Sequence, residues 1–310
     1  MKLKALSCYD GDKDTRFGDC ILIYDNSSLI VYDCGHTRHA AYVESFLRSK
    51  STIVSIYIVA SHNDSDHTSG VCELLEWLSM QNSYSVKVYT HQYLKHVDTI
   101  IDKVDDGRRN RDSLKKALLA EFDNIKEIIE KAQELNYSTM EALKGTTVGS
   151  CVIVGPTIDE FTDVASKAVD NRENNVIENE TVMNAASVQI KIVLDNGESM
   201  LLCGDASPHY LKDLATYDII QLPHHGQEND AKAIFEKLGG NAYSKDYFIS
   251  DNTGSGKTSG GSDDIVKYMK HELYNPAYNT KDKIVNLPEY SAAVHSNSQR
   301  RVSLGDLGSI

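Results

Sequence analysis

Two histidines and two aspartates lie within six consecutive residues of the motif His62-Asn63-Asp64-Ser65-Asp66-His67. Imidazole nitrogens and carboxylate oxygens are the donors that bind divalent metal ions in hydrolytic enzymes. A simpler explanation is a solvent-exposed loop in which Asp66 or Thr68 caps the following helix. Features elsewhere in the sequence distinguish between such a loop and a metal site.

Similar side chains follow three other predicted strands. Asp33 comes at the end of SLIVYD, Asp205 follows LLC and Gly204, and His224 and His225 belong to the segment LPHHGQ. Loops at strand ends bring functional groups together in α/β folds, so this recurrence favours the metal site.

The spacing of the motif allows two metal ions. Side chains two residues apart in an extended chain point to the same side, so His62 and Asp64 can reach one ion. Asp66 and His67, at the start of the next helix, can reach a second, and Asp205 could bridge the two. A pair of metal ions activates a water molecule and stabilises the leaving oxygen in hydrolysis.

The elements that would position these residues are short strands with helices between them. Strands are predicted at 3–8, 20–25, 28–33, 53–60, 86–90, 151–155, 187–194, 199–203, 217–223 and 247–250. Helices are predicted at 37–50, 70–80, 206–215, 229–238 and 262–272, and a helical insertion at about 96–145. This alternation indicates a layered α/β sandwich, in one domain covering residues 1–310.

Composition limits the classes of function. The 310 residues carry a formal net charge of -13, which argues against broad electrostatic binding to nucleic acid or membranes, although bound cations could still hold a phosphate. No apolar run approaches the roughly 20 residues of a membrane span, and the N-terminus lacks the features of a signal peptide. The six cysteines form no CxxC pair, which favours reduced thiols in a cytoplasmic protein.

Taken together, these motifs resemble the metallo-β-lactamase-fold hydrolases. That family has an HxHxDH motif after a strand, then a Gly-Asp pair and then a late histidine, and the matches here are HNDSDH, CGD and PHHG. The resemblance runs from about Phe17 to Ser250 and implies an αββα sandwich, interrupted by the helical insertion. It also implies that Asp33 braces the ligand loop and does not bind metal.

Two departures from the family pattern point to one of its branches. Asp64 stands where most members have a second histidine, and no histidine lies between His96 and His209 to supply a further ligand. His91 and His96 come too early for that role. Both features, and the segment NAASVQIKIVLDNGESMLLCGD (184–205), resemble the hydrolase domain of the competence protein ComEC, a branch associated with degrading DNA.

The resemblance implies two divalent metal ions, Zn²⁺ and/or Mn²⁺. The implied ligands are His62, Asp64, Asp66, His67, Asp205, and either His224 or His225, and Asp66 and Asp205 are also predicted to be catalytic. Carboxylates in place of imidazoles shift the first site toward harder ions such as Mn²⁺ or Mg²⁺, whereas the second site suits Zn²⁺. Of His224 and His225, the one that does not bind metal could donate a hydrogen bond to a phosphate.

The segment DNTGSGKTSGG (251–261) contains GSGKT, which looks like part of a phosphate-binding P-loop. A P-loop needs GxxxxGK[ST], but Asp251 stands five positions before Gly256, so a flexible connector is the preferred interpretation. The alternative is a loop over the metal centre in which Ser255 and Lys257 contact the phosphate of a substrate.

The sequence therefore predicts a metal-dependent hydrolase, a phosphodiesterase or nuclease in which a metal-bound hydroxide is the nucleophile. Its partner would be a phosphodiester, either DNA or a nucleotide, and not a membrane. One alternative is a hydrolase of lactams, lactones or thioesters on the same fold, which the missing histidine disfavours. Another is a regulatory subunit that keeps only part of the metal site, which the complete second set of ligands disfavours.

Overall fold

Two large sheets and the helices around them make up most of the structure. The computed structural model describes residues 1–6, 18–81, 83–104, 110–170, 176–177, 180–181, 183–251, 262–281 and 283–289. The strands are β1 (Lys2–Ala5), β2 (Ile21–Tyr24), β3 (Ser28–Tyr32), β4 (Ser55–Val59), β5 (Ser85–Thr90), β6 (Ser138–Glu141), β7 (Thr147–Val148), β8 (Cys151–Gly155), β9 (Val176–Ile177), β10 (Glu180–Thr181), β11 (Gln189–Val193), β12 (Ser199–Leu202), β13 (Ile219–Gln221), β14 (Asp246–Ile249), β15 (Ala277–Asn279) and β16 (Val285–Leu287). The helices are α1 (Thr37–Arg48), α2 (Ser65–Thr68), α3 (Val71–Gln81), α4 (Val97–Val104), α5 (Arg111–Ala120), α6 (Asp123–Glu134), α7 (Ile158–Asp170), α8 (Pro223–Gly226), α9 (Glu228–Leu238) and α10 (Asp263–His271). None of these helices is long and apolar enough to cross a lipid bilayer.

Each large sheet combines an antiparallel and a parallel half. The first has the order β16-β1-β2-β3-β4-β5-β6, in which β3 to β6 run parallel. The second has the order β15-β14-β13-β12-β11-β8-β7, in which β12 to β15 run parallel. The carboxyl ends of neighbouring parallel strands lie at the same edge of a sheet, so the loops after β3 and β4, and those after β12 and β13, start side by side.

Three clusters of buried apolar side chains separate four layers. The first cluster lies between the two sheets, the second between the first sheet and the helices α1 and α3 to α7, and the third between the second sheet and α9 and α10. Pairs that represent the three interfaces are Ile30 with Ile190, Ile58 with Leu74, and Ile220 with Phe235. The layers are therefore helix, sheet, sheet and helix, which confirms the predicted αββα sandwich.

The stretch predicted as a helical insertion is only partly helical. It contains α4, α5 and α6, but it ends in β6, which pairs parallel with β5 at the edge of the first sheet. Asn136 has φ 59°, a left-handed conformation that commonly ends a helix, and the chain is extended soon afterwards. The helical prediction is therefore wrong near the C-terminal end of 96–145.

Residues 206–215, all of which the structure describes, do not form the predicted helix. The segment instead forms two short 3-10 turns, Pro208–Tyr210 and Leu214–Thr216. Asp213, just before the second turn, has φ 53°, which no continuous right-handed helix can contain.

Candidate metal centre

A buried carboxylate holds the loop that follows β4. Asp33 comes directly after β3 with φ 61° and is fully buried. It accepts hydrogen bonds of 2.7 Å from both the backbone N–H and the hydroxyl of Ser61. Nδ1 of His67 lies 2.9 Å from the same carboxylate. Asp33 thus fixes both the start and the end of the histidine-aspartate motif.

The motif itself turns from β4 into the single turn of α2. The residue before α2 is Asp64, whose side chain makes no capping hydrogen bond, and the hydroxyl of Thr68 donates to the Asp64 carbonyl oxygen at 2.8 Å. The Asp66 carboxylate faces His225, with 3.3 Å between Oδ2 and Nε2. Asp66 and Thr68 therefore lie inside α2 and do not form its N-cap.

Asp205 reaches the motif because Gly204 lets the second sheet come close to the first. Gly204 has φ 51°, and a Cβ at this position would lie 3.0 Å from the Ser61 hydroxyl and 3.1 Å from the Tyr32 hydroxyl. A glycine avoids both the strain of this backbone conformation and the close contacts. Asp205 follows Gly204, and its side chain is buried and faces Nε2 of His67.

The turn after β13 directs His225 toward the same point. His224 and His225 both have left-handed backbone angles, with φ 52° and 55°. Nδ1 of His225 lies 2.8 Å from the Ser250 carbonyl oxygen and 3.1 Å from the Asp19 carboxylate. With Nδ1 held in this way, Nε2 is directed toward Asp205, at 3.7 Å from Oδ2.

Four imidazoles surround one oxygen of Asp205. The distances from Asp205 Oδ2 to the Nε2 atoms are 3.5 Å for His67, 3.7 Å for His225, 3.8 Å for His62 and 4.0 Å for His224. The rings of His62 and His67 are 4.1 Å apart between centroids, and those of His67 and His225 are 5.2 Å apart. The residues predicted from separate motifs are thus brought together in space.

The buried atoms at the centre of this cluster lack hydrogen-bond partners among the described residues. They are Nε2 of His62, His67 and His225, which face only the carboxylates of the cluster, and Oδ1 of Asp205. The other nitrogen of each of the three rings faces an oxygen, in Ser61, Asp33 and Asp19 respectively. Imidazoles that are fixed at one nitrogen and open at the other are typical metal ligands. The donors of His62, His67 and Asp205 all lie within 4.8 Å of one another, so the cluster fits a divalent ion.

The charges within the cluster stabilise one another. Burial lowers the pKa of His67 and of His225, but the Asp205 carboxylate, with Asp33 and Asp19 behind the rings, raises both pKa values well above the ordinary one. Burial raises the pKa of Asp205, yet His225 and His67 outweigh it and hold that pKa well below its usual range. A metal ion would replace the protons that these ion pairs keep on the two rings, so metal binding releases protons.

Two predicted ligands lie at the more exposed side of the cluster. The Asp64 side chain is 42% exposed, with Oδ2 3.8 Å from His62 Nε2. The His224 side chain is 19% exposed, whereas that of His225 is 2% exposed and faces both Asp66 and Asp205. The geometry therefore favours His225 as the late histidine ligand and leaves His224 the more accessible ring.

Sequence reasoning gave no role to three residues of the cluster, Asp19, Ser61 and Asn184. Asp19 is 1% exposed and accepts a 2.7 Å hydrogen bond from the Ser250 hydroxyl in addition to facing His225. The sequence signal that could have identified Asp19 is the glycine before it. The pair Gly18-Asp19 repeats the pair Gly204-Asp205, and both glycines have positive φ.

Other polar residues singled out in the sequence have different positions. Nε2 of His91 lies 2.9 Å from the Ala186 carbonyl oxygen, and Nε2 of His96 lies 3.3 Å from the Glu141 carboxylate, so both rings make structural contacts. Ser255 and Lys257 lie outside the described residues, and their contact with a substrate stays a prediction.

Two solved structures that resemble this chain have metallo-beta-lactamase descriptions. The metallo-beta-lactamase fold protein YhfI from Bacillus subtilis aligns with a TM-score of 0.48 and 11% identity over 92% of this chain and 98% of its own. An HARLDQ-motif mutant of a metallo-beta-lactamase from Cronobacter sakazakii aligns with a TM-score of 0.34 and 14% identity over 82% of this chain and 86% of its own. Neither protein-family models nor curated proteins give a match. At these identities and TM-scores, the likenesses assign neither a family nor an activity to the chain.

Proposed function

We propose that this protein is a metal-dependent hydrolase of the metallo-β-lactamase type that cleaves phosphodiester bonds. The observation that carries the proposal is the convergence of three buried Nε2 atoms, whose rings are held at Nδ1, on the Asp205 carboxylate. The residues that would hold metal are His62, Asp64 and Asp205 in one half of the centre, and Asp66, His67, Asp205 and His225 in the other. Bound divalent ions would polarise a phosphate and activate a water molecule.

The protein's own part in this chemistry is to orient the ligands before any substrate arrives. The Ser61 hydroxyl donates to Asp33 at 2.7 Å, so its lone pair can accept the Nδ1 proton of His62, 2.9 Å away. That tautomer leaves a lone pair on Nε2 of His62, which is the form that binds a metal. Asp33 and Asp19 orient the rings of His67 and His225 in the same manner.

The choice of a phosphodiester follows from the oxygen-rich half of the centre. Nε2 of His62 lies 3.8 Å from the carboxylates of both Asp64 and Asp205, and Asp64 stands where the family motif has a second imidazole. Such a set favours hard ions such as Mn²⁺ or Mg²⁺, which bind phosphate oxygens well. The accessible ring of His224, 4.0 Å from Asp205, could donate to a phosphate oxygen. We include DNA or a nucleotide as the substrate class because of the ComEC-like motifs.

The test compares two substrates. With Mn²⁺ present, the purified protein should hydrolyse bis(p-nitrophenyl) phosphate and should leave the β-lactam nitrocefin intact, with either Mn²⁺ or Zn²⁺. Asp205→Asn should abolish the phosphodiesterase activity. Asp218→Asn is the matched control, because Asp218 is exposed and its carboxylate accepts hydrogen bonds from Ser199 at the start of β12, so this variant should keep the wild-type rate.

The alternatives predict other results. Hydrolysis of nitrocefin or of a thioester, without phosphodiesterase activity, would replace our proposal with the lactam or thioester hydrolase. A protein that binds metal and cleaves none of these substrates would match the regulatory subunit.

A further inference from the structure

One buried amide oxygen beside the candidate centre has no partner in the described chain. Asn184 begins the 3-10 turn Asn184–Ala186 before β11 and is 2% exposed. Its Nδ2 donates a 2.9 Å hydrogen bond to Oδ2 of Asp64, whereas its Oδ1 is buried and accepts none from the described residues. Such a group costs free energy unless a ligand or water supplies the missing interaction.

The turn that carries Asn184 is held on several sides. The Ser187 hydroxyl donates to the Asn184 carbonyl oxygen at 2.7 Å, and the Val188 N–H donates to the Ser61 carbonyl oxygen at 2.9 Å. His91 Nε2 lies 2.9 Å from the Ala186 carbonyl oxygen. These contacts fix the backbone that carries the amide, and the hydrogen bond to Asp64 holds its side chain. Its position beside Asp64 is part of the fold.

This half of the centre is also short of ligands. Asp64 Oδ2 and Asp205 Oδ2 each lie 3.8 Å from Nε2 of His62, and Asp205 is shared with the other half. The chain has no histidine between His96 and His209 that could add an imidazole. Hard divalent ions take about six ligands, and side-chain amide oxygens are among the groups that they accept.

We propose that Oδ1 of Asn184 is a metal ligand of the half of the centre formed by His62, Asp64 and Asp205. The inference rests on the proposed metal-dependent function and adds to it a ligand that the motifs did not identify. Asn184 would supply a neutral oxygen where another imidazole would otherwise be needed, and this oxygen would favour Mn²⁺ over Zn²⁺ in this half.

The experiment titrates metal-free protein with MnCl₂ by isothermal calorimetry and measures bound metal by elemental analysis. Wild-type protein should bind about two Mn²⁺ ions per chain. Asn184→Ala should bind one of them about 10- to 100-fold more weakly, or not at all. Asn184→Asp keeps an oxygen but loses the N–H donor to Asp64, so it should still bind about two ions if the oxygen is the ligand.

Controls separate this role from a structural one. Asn275→Ala removes a partly buried amide that donates 2.7 Å to the Lys245 carbonyl oxygen away from the centre, and it should bind metal like the wild type. Circular dichroism checks the folding of each variant. If Asn184→Ala is unfolded, Asn184→Asp is the deciding variant: a carboxylate oxygen in the ligand position should bind one Mn²⁺ more tightly than the wild type does, and unchanged affinity at both sites would show that the amide is not a ligand.

Three results would overturn the inference in distinguishable ways. Wild-type affinity at both sites in Asn184→Ala would show that the amide is not a ligand, while the hydrolase proposal would stand. Loss of one ion from Asn184→Asp as well as from Asn184→Ala would show that the amide acts through its donor to Asp64. A wild-type protein that binds no Mn²⁺ or Zn²⁺ would remove the proposed function together with the inference.

Discussion

Each histidine at the centre depends on an oxygen placed behind it. His62 has the Ser61 hydroxyl at 2.9 Å, His67 has Asp33 at 2.9 Å, and His225 has Asp19 at 3.1 Å. These partners decide which ring nitrogen faces Asp205 and limit rotation of the ring. Changing a partner should therefore weaken metal binding without removing any ligand.

Asp19 gives the sharpest test of this dependence. Asp19→Asn keeps the size of the side chain but removes the negative charge that, together with Asp205, raises the pKa of His225. We expect the affinity for Mn²⁺ or Zn²⁺ to fall by about 10- to 100-fold, because His225 is oriented less firmly and is a weaker base. Calorimetric titration of metal-free protein measures the change.

The control for Asp19→Asn is Asp25→Asn in the loop between β2 and β3. Asp25 accepts 2.8 Å hydrogen bonds from the N–H groups of Ser27 and Ser28, within its own turn. Its replacement should leave metal affinity unchanged. Equal affinities for Asp19→Asn and the wild type would contradict the role given to Asp19.

The sequence identifies candidate metal ligands where they lie close together in the chain or directly after a predicted strand. His62 to His67 are adjacent in the chain, and Asp205 and His225 follow apolar runs that end at the same edge. Asp19 lies before a strand and meets His225 across 206 positions, a contact that no local pattern specifies. The different environments of His224 and His225 arise from two consecutive left-handed residues, which the letters PHHG do not reveal.

At the scale of elements, the centre depends on tight turns at strand ends. Gly18, just before β2, has φ 66°, and the N–H of Asp19 donates a 2.9 Å hydrogen bond to the Asp66 carbonyl oxygen. A Cβ on Gly18 would lie 1.6 Å from that same oxygen. The segment before β2 is thus in direct backbone contact with α2.

Gly18→Ala should therefore destabilise the protein and displace Asp66. Left-handed strain alone costs about 1–2 kcal/mol for an L-residue, and the clash adds to it because backbone must move. Gly145→Ala is the matched control, since Gly145 also has positive φ, 95°, but nothing lies within 4 Å of a Cβ there. Urea unfolding should show a larger loss of stability for Gly18→Ala, and equal losses would rule out the steric contribution.

Among the elements, buried strands were predictable and exposed or irregular ones were not. In β2, Leu22 packs toward the helices and Ile23 toward the other sheet, which explains its continuous apolar run. The edge strand β6 alternates between exposed and half-buried residues and carries no apolar run. The helical pattern of the preceding segment, which forms α6, was therefore extended over β6 in the predicted insertion. The segment 206–215 is apolar enough for a helix, but the backbone of Asp213 prevents one.

At the scale of the whole molecule, the candidate centre joins the two sheets. The first sheet supplies the motif after β4 and the second supplies Asp205 and His225. The Tyr32 hydroxyl donates to the Val188 carbonyl oxygen at 2.6 Å, and the apolar cluster between the sheets lies alongside. Any ion held by both sets of ligands is a cross-link between the halves of the sandwich.

Metal binding should therefore stabilise the entire fold. A ligand that binds only the folded state adds about 2.7 kcal/mol when its concentration is 100 times its dissociation constant. We expect the melting temperature of wild-type protein to rise by several degrees on adding Mn²⁺ to chelator-treated protein, and to rise further with metal concentration. Asp205→Asn removes the carboxylate shared by both halves, so its melting temperature should respond little to the metal. Differential scanning calorimetry of both proteins measures this, and coincident melts of metal-free and metal-loaded wild type would show that no ion joins the two sheets.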